Sequence, residues 1–255
     1  MQIRPEQLAA LKDASLANFE QQLAGHCRTF APNMSERAGA TKVREFVHTG
    51  VQRARGHGFT LRGPMRLYLE LMLSCGCDFD TDPQLPWARE ALAADPASDE
   101  MPRAKALYQA MQGYAGCVYG AGREHAIGAL GRLSRLSPAD WSKLSGPFEA
   151  RLEQFLRAIF PQKLEYSGMP AVAGLIPRAA ETASGFSVRL EMAVVLLLTL
   201  SFVFGHGAAT DPMYAWVPAT LADPKTPNPQ DRVAQLYDRI RSYAESALAE
   251  LQKGG

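Results

Sequence analysis

The sequence predicts an all-α fold made of two tandem, diverged copies of a four-to-five-helix module. Three observations predict it. Apolar residues recur every three or four positions along most of the 255-residue chain. No stretch alternates apolar and polar residues between turn signals, so no strand is expected. The chain also aligns with itself at an offset of about 129 residues, which marks internal duplication.

The self-alignment is co-linear. At an offset of 129, Phe19, Glu20, Leu23, Arg28 and Pro32 fall on Phe148, Glu149, Leu152, Arg157 and Pro161. An offset of 127 pairs Gly58, Phe59, Arg62 and Met65 with Gly185, Phe186, Arg189 and Met192. At 129 again, Thr81, Asp82, Pro83 and Trp87 meet Thr210, Asp211, Pro212 and Trp216. Arg103, Leu107, Tyr108 and Tyr114 then meet Arg232, Leu236, Tyr237 and Tyr243. Residues 1–127 and 128–255 are therefore read as two copies. The join is placed in the glycine- and arginine-rich stretch Tyr119 to Leu136. Duplicated modules of this kind often pack about a pseudo-twofold axis.

Each element has a local reason. The first helix runs from about Pro5 to Phe30, with Leu8, Leu11, Phe19, Leu23, Cys27 and Phe30 on one stripe. Ser15 interrupts the stripe, and the adjacent Leu16 covers that turn. Its counterpart carries Leu144, Phe148, Leu152, Leu156 and Ile159, with Trp141 just ahead and Ser137-Pro138 as cap and first residue. Pro32 and Pro161 follow these helices and help end them. A second helix covers about Thr41 to Arg55. A third covers about Leu61 to Cys75, with a counterpart near Val188 to Phe204. Asp82-Pro83 and Asp211-Pro212 each fit a cap followed by proline at the first helical position. Asp95-Pro96 and Asp223-Pro224 repeat that logic or make turns. The last helix carries Leu107, Tyr108, Met111, Tyr114 and Val118, matched by Leu236, Tyr237, Ile240, Tyr243 and Ala247.

Composition excludes several classes. The net charge of +1 offers no long-range pull on nucleic acid or anionic lipid. Met192 to Ala209 has no Asp, Glu, Lys or Arg, yet its dense apolar part ends at Phe204, about 13 residues against the ~20 a span needs. It is expected to be a buried helix. Cys27, Cys75, Cys77 and Cys117 show no zinc spacing and are expected to be reduced thiols. The N-terminal residues show no signal-peptide core, so a cytoplasmic location is expected.

Candidate chemistry is sparse. Asp78, Asp80 and Asp82 alternate as loop carboxylates do around calcium, but no Gly-x5-Glu follows. The second copy keeps only Asp211, so the shared aspartates are read as caps. His26, His48, His57, His125 and His206 are scattered and form no HExxH. Gly120-Ala121-Gly122 follows a helix where a dinucleotide loop follows a strand. No catalytic residue, cofactor or metal site is expected. The positions read as structural or interacting are Asp82, Pro83, Trp87, Tyr108, Asp211, Pro212, Trp216 and Tyr237.

Residues 5 to 118 resemble a family of small helical proteins encoded in bacterial type VI secretion gene clusters. The likeness rests on Phe19-Glu20-Gln21-Gln22-Leu23, Gly58-Phe59-Thr60-Leu61-Arg62 and Tyr68-Leu69-Glu70-Leu71-Met72. It also rests on Phe79-Asp80-Thr81-Asp82-Pro83-Gln84-Leu85-Pro86-Trp87. The second copy shows a degraded version, and ordinary members look like one copy. The resemblance implies an adaptor or co-chaperone that binds a secretion effector, its adaptor or the spike. The alternatives are an immunity protein for a cognate toxin and an enzyme with a cleft between the copies. The expected partner is protein, with neither nucleic acid binding nor membrane insertion.

Overall fold

Proline and glycine punctuate the helices. The computed structural model describes residues 4–93 and 95–253, and within the first helix it does not describe the side chains of residues 5, 6 and 8–13. The apolar positions Leu8 and Leu11 therefore lie outside the described side chains. The fold is all-α, with thirteen α-helices, one 3-10 helix and no strand among the described residues.

The order is α1 (Pro5–Phe30), α2 (Pro32–Gly56), α3 (Arg62–Cys75), α4 (Pro86–Leu92), α5 (Glu100–Val118) and α6 (Glu124–Leu133). There follow α7 (Pro138–Ser142), α8 (Phe148–Ile159), α9 (Pro161–Ala173), α10 (Ile176–Gly185) and α11 (Glu191–Phe204). The 3-10 helix η1 (Pro212–Tyr214), α12 (Trp216–Leu221) and α13 (Pro229–Lys253) complete the chain. No helix among the described residues is long and apolar enough to cross a membrane. The apolar stretch from Met192 is the buried helix α11, with Leu196, Leu197, Leu198, Leu200 and Phe202 in the core.

Geometry recurs at an offset of 129. Helices α3 and α11 both have 14 residues and start 129 positions apart. Helix α2 bends at Gly39 (φ 80°, ψ 159°), and α9 bends at Gly168 (φ 73°, ψ 156°). Gly58 and Ser187 both have positive φ, 75° and 57°. The Phe59 N–H donates to Ala54 O, and the Val188 N–H donates to Ala183 O, both at 2.9 Å. Arg103 donates to the His57 carbonyl and Arg232 to that of Phe186. Trp87 lies 5.8 Å from Tyr114, and Trp216 lies 5.8 Å from Tyr243. The offset holds through the middle helices, so the sequence pairing at 127 is not the structural one. The Gly-Phe pairs at 58–59 and 185–186 match as letters but occupy positions two residues apart in the fold.

Other expectations change. The helix expected from about Thr41 to Arg55 is the part of α2 beyond the break at Gly39, and a further helical segment, with Pro32 at its first position, precedes it. The helix expected from Ser137 to Ile159 is split into α7 and α8 by Gly146 (φ 112°) and Pro147. Asp82 heads a turn, and the following α-helix starts only at Pro86. The stretch taken as a join contains α6, which packs on α13 and α8. A ten-residue helix is marginal by itself, and this packing is what stabilises it. The boundary expected at 127/128 falls inside α6.

The two groups of helices meet at α3 and α11. Each helix ends in glycine, Gly76 (φ 98°, ψ 153°) and Gly205 (φ 103°, ψ 147°). A side chain there is doubly opposed. That backbone region is open almost only to glycine. A Cβ on Gly205 would also stand 2.4 Å from the Cys75 carbonyl, and one on Gly76 would stand 2.7 Å from the Phe204 carbonyl.

Gly205→Ala is therefore expected to lose at least ~2 kcal/mol of unfolding free energy in urea titration. Gly113→Ala, in a helix and with open space around its Cβ, should gain ~0.5–1 kcal/mol.

Candidate functional site

Two aspartates organise the junction. Asp82 is 4% exposed and accepts the N–H of Gln84, its own turn, at 2.8 Å. It also accepts the N–H of His206, from the opposite half, at 2.8 Å. Asp211 is 2% exposed, accepts the N–H of Met213 at 2.8 Å and reaches across to the N–H of Cys77 at 3.0 Å. His206 and Cys77 are themselves 129 residues apart, so the exchange is reciprocal. The sequence suggested helix caps for both: Asp211 caps the 3-10 helix η1, Asp82 caps a turn instead, and both also stitch the halves together.

Their electrostatic surroundings differ. Burial works against the Asp82 carboxylate, but bonding to His206 and the nearby Lys163 ammonium outweigh it and lower its pKa. Burial wins at Asp211 and raises its pKa from 3.8 to about 6. Burial also lowers the pKa of Lys163, against the pull of Asp82 and Cys75. Its ammonium lies over the Phe202 ring at 5.7 Å.

A second cluster exists in the first half only. Arg53 of α2 binds both Asp78 and Asp80. Asp80 also contacts His57 Nε2 at 2.9 Å and accepts from the Tyr68 hydroxyl at 2.6 Å. Arg178 of α10 reaches Asp78 from the other half at 3.2 Å. Burial opposes the Asp80 carboxylate, yet His57, Tyr68 and Arg53 together hold its pKa down at about 2. A guanidinium thus occupies the space between the carboxylates that spacing alone could assign to calcium. The positions 129 residues on carry Thr182, Phe186, Leu197, Gly207 and Ala209, which cannot form this network.

Sequence reasoning missed these cations. Arg53, in the last turn of α2, and His57, its C-cap, are four residues apart, which is the one local signal they give. The buried thiols have little reactivity: burial raises Cys27 to about 11 and Cys75 to about 12, so both stay protonated at neutral pH.

The remaining expected positions separate. Pro83 and Pro212 follow their aspartates in the turns. Trp87 is buried against Tyr114 and Phe79, while Trp216 is half-buried on Tyr243. Neither indole N–H has a hydrogen-bond partner among the described residues, so both rings act as apolar anchors. Tyr237 donates its hydroxyl to the Leu136 carbonyl. Tyr108 is 48% exposed.

An apolar cleft of about 340 Å³ opens where the halves meet. Its aromatic lining is Tyr119, Phe160, Phe204, Tyr214 and Tyr243, the last three with ring centroids 5.2–5.6 Å apart. Met34, Leu73 and Val203 line it from α2, α3 and α11, Ala126 and Leu130 from α6, and Ala247 and Leu251 from α13. Arg37 and Glu250, also in the lining, pair at 3.6 Å. Burial pushes the phenol of Tyr214 well above its ordinary range and that of Tyr243 to about 12. These groups are neutral at physiological pH and present polarity without acid–base chemistry.

No family model matches this chain, and neither a curated protein nor a solved structure matches it.

Two measurements test the clusters. The Asp80 pKa is lowered on folding, so its stabilisation is complete above the ordinary carboxylate pKa and fades as pH falls toward 2. Wild type should exceed Asp80→Asn by about 2 kcal/mol near pH 6, with the gap closing between pH 4 and 2 in denaturant titrations. Arg53→Met leaves two carboxylates facing each other and should cost about 3–5 kcal/mol by the same assay at pH 7.

Proposed function

We propose that this protein is a non-enzymatic adaptor, two related halves joined at a glycine crossing, that binds another protein through the cleft between them. The carrying observation is the character of that cleft. Its walls are mostly aliphatic and aromatic; Arg37 and Glu250 pair with each other, and Arg123 and Ser74 also lie on the lining. A volume of about 340 Å³ suits the apolar side chains that one face of a partner helix presents at i, i+3 and i+4. An enzyme with a cleft between the halves calls instead for ionisable groups converging on substrate. Here Asp78, Asp80 and Asp82 are engaged by cations and backbone N–H groups.

The duplication is supported by the offset of 129 shared by helix lengths, bends and hydrogen bonds. It gives a reason for a cleft at this place, since two identical faces rarely stay complementary once their sequences diverge. The resemblance of residues 5 to 118 to proteins of type VI secretion gene clusters directs the choice of partner. The adaptor would act in the cytoplasm on an effector, its dedicated adaptor or a spike component, as a co-chaperone does.

Ala126→Glu and Ala247→Glu place charge in the half-buried cleft walls. Calorimetric titration with the products of neighbouring genes should show a Kd for the parent protein that rises at least tenfold in either variant. Far-UV circular dichroism should stay unchanged. Equal binding by parent and variants, or no binding by any neighbouring product, would defeat this reading.

A further inference from the structure

The two halves treat one equivalent face differently. In the second half, the segment after α6 lies against α13 and α11. Leu136 is 7% exposed, and its carbonyl accepts from the Tyr237 hydroxyl. The Ser134 carbonyl accepts from Arg241 Nε at 2.8 Å. Trp141 is 4% exposed and donates to Glu191, the first residue of α11, at 2.8 Å. Ala193, Leu196 and Val233 of α11 and α13 are buried.

Among the described residues, the first half presents the matching face without that cover. Between α3 and α5 runs an open apolar groove lined by Pro64, Leu67, Met101, Ala104, Lys105 and Tyr108. Met101 is 56% exposed and Tyr108 48%. Leu67 is only half-buried, whereas Leu196, 129 residues on, is 1% exposed. Tyr108 and Gln112 occupy the positions of Tyr237 and Arg241. They bond to each other, Gln112 Nε2 donating to the Tyr108 oxygen at 2.6 Å. The Tyr108 hydroxyl proton and a second Gln112 N–H are left to point at solvent. Lys105, on the rim, has no acidic partner among the described residues.

We propose that this α3–α5 groove is a second protein-docking surface, which takes a short leucine-bearing turn segment from a partner protein, with an acidic residue beside the leucine. The chain itself supplies the template. Residues 133–141 show how such a segment sits, with its leucine buried and its carbonyls held by side-chain donors from one helix face. Tyr108 and Gln112 are the corresponding donors, Met101 and Leu67 the apolar seat, and Lys105 the charge that selects an acidic neighbour. The inference rests on reading the halves as related, and it concerns a face separate from the cleft. An adaptor with two such surfaces can hold two proteins at once.

The probe is a synthetic peptide copying residues 131–142, in its own sequence and with Arg135→Glu. Both should shift backbone NMR signals of Leu67, Met101 and Tyr108 in the full-length protein, at peptide concentrations near 1 mM. The Arg135→Glu peptide should bind two- to fivefold more tightly, and Lys105→Glu should reverse that order. Met101→Glu should abolish the shifts, and Tyr108→Phe should weaken binding at least threefold. All three variants change exposed residues, so unchanged circular dichroism is expected. Absence of shifts at the groove, or shifts that survive Met101→Glu, overturns the proposal. So does a concentration-dependent dimer, seen by light scattering, that Met101→Glu dissolves, because the occupant would then be a second copy of the chain. The cleft variants Ala126→Glu and Ala247→Glu should bind the peptide normally, which separates failure here from failure of the cleft reading.

Discussion

Everything in this fold depends on the crossing of two helix ends at Gly76 and Gly205. The backbones approach so closely there that a single methyl group would strike a carbonyl. Peptide groups buried at such a crossing need partners, since water cannot reach them. Asp82 and Asp211 supply them, each accepting one N–H from its own turn and one from the opposite half. A carboxylate has lone pairs enough for both duties, whereas an amide or hydroxyl would satisfy fewer donors. The same geometry explains why both aspartates are buried without being reactive.

Around this reciprocal core the two halves differ in opposite senses. The first half keeps a dense ionic cluster of Arg53, His57, Tyr68, Asp78 and Asp80. The second half carries aliphatic and small residues at those places, and α11 is correspondingly apolar. At the junction itself the Lys163 ammonium helps hold the Asp82 pKa down, whereas burial raises that of Asp211. A buried ion network costs desolvation and is weak evidence for stability. Its partners nevertheless fix one arrangement, because every alternative leaves a charge unpaired.

Some surface remains that the halves do not cover for each other. The cleft at their junction is apolar on nearly all sides, and the α3–α5 groove exposes methionine and tyrosine. Apolar concavities of this kind suit recognition by shape and burial, and the proposed adaptor role rests on them.

Sequence by itself determined the helical class, the buried nature of the stretch from Met192, and the aspartate turns. Each depends on local physics: apolar periodicity, the absence of charge, and the preference of Asp-Pro for turn starts. It also exposed the offset of 129 at the Asp-Pro and Trp positions. Only the tertiary structure decided the rest. Gly58-Phe59 pairs by letter with Gly185-Phe186 but lies two residues away in register, because hydrogen bonds follow backbone geometry and not identity. Helix α6 is too short and too glycine-rich to declare itself, and it holds through contact with α13. Arg53, Lys163, Arg178 and His206 come from elements remote in sequence. Their meeting with Asp78, Asp80 and Asp82 is a product of chain crossing, which no local pattern encodes.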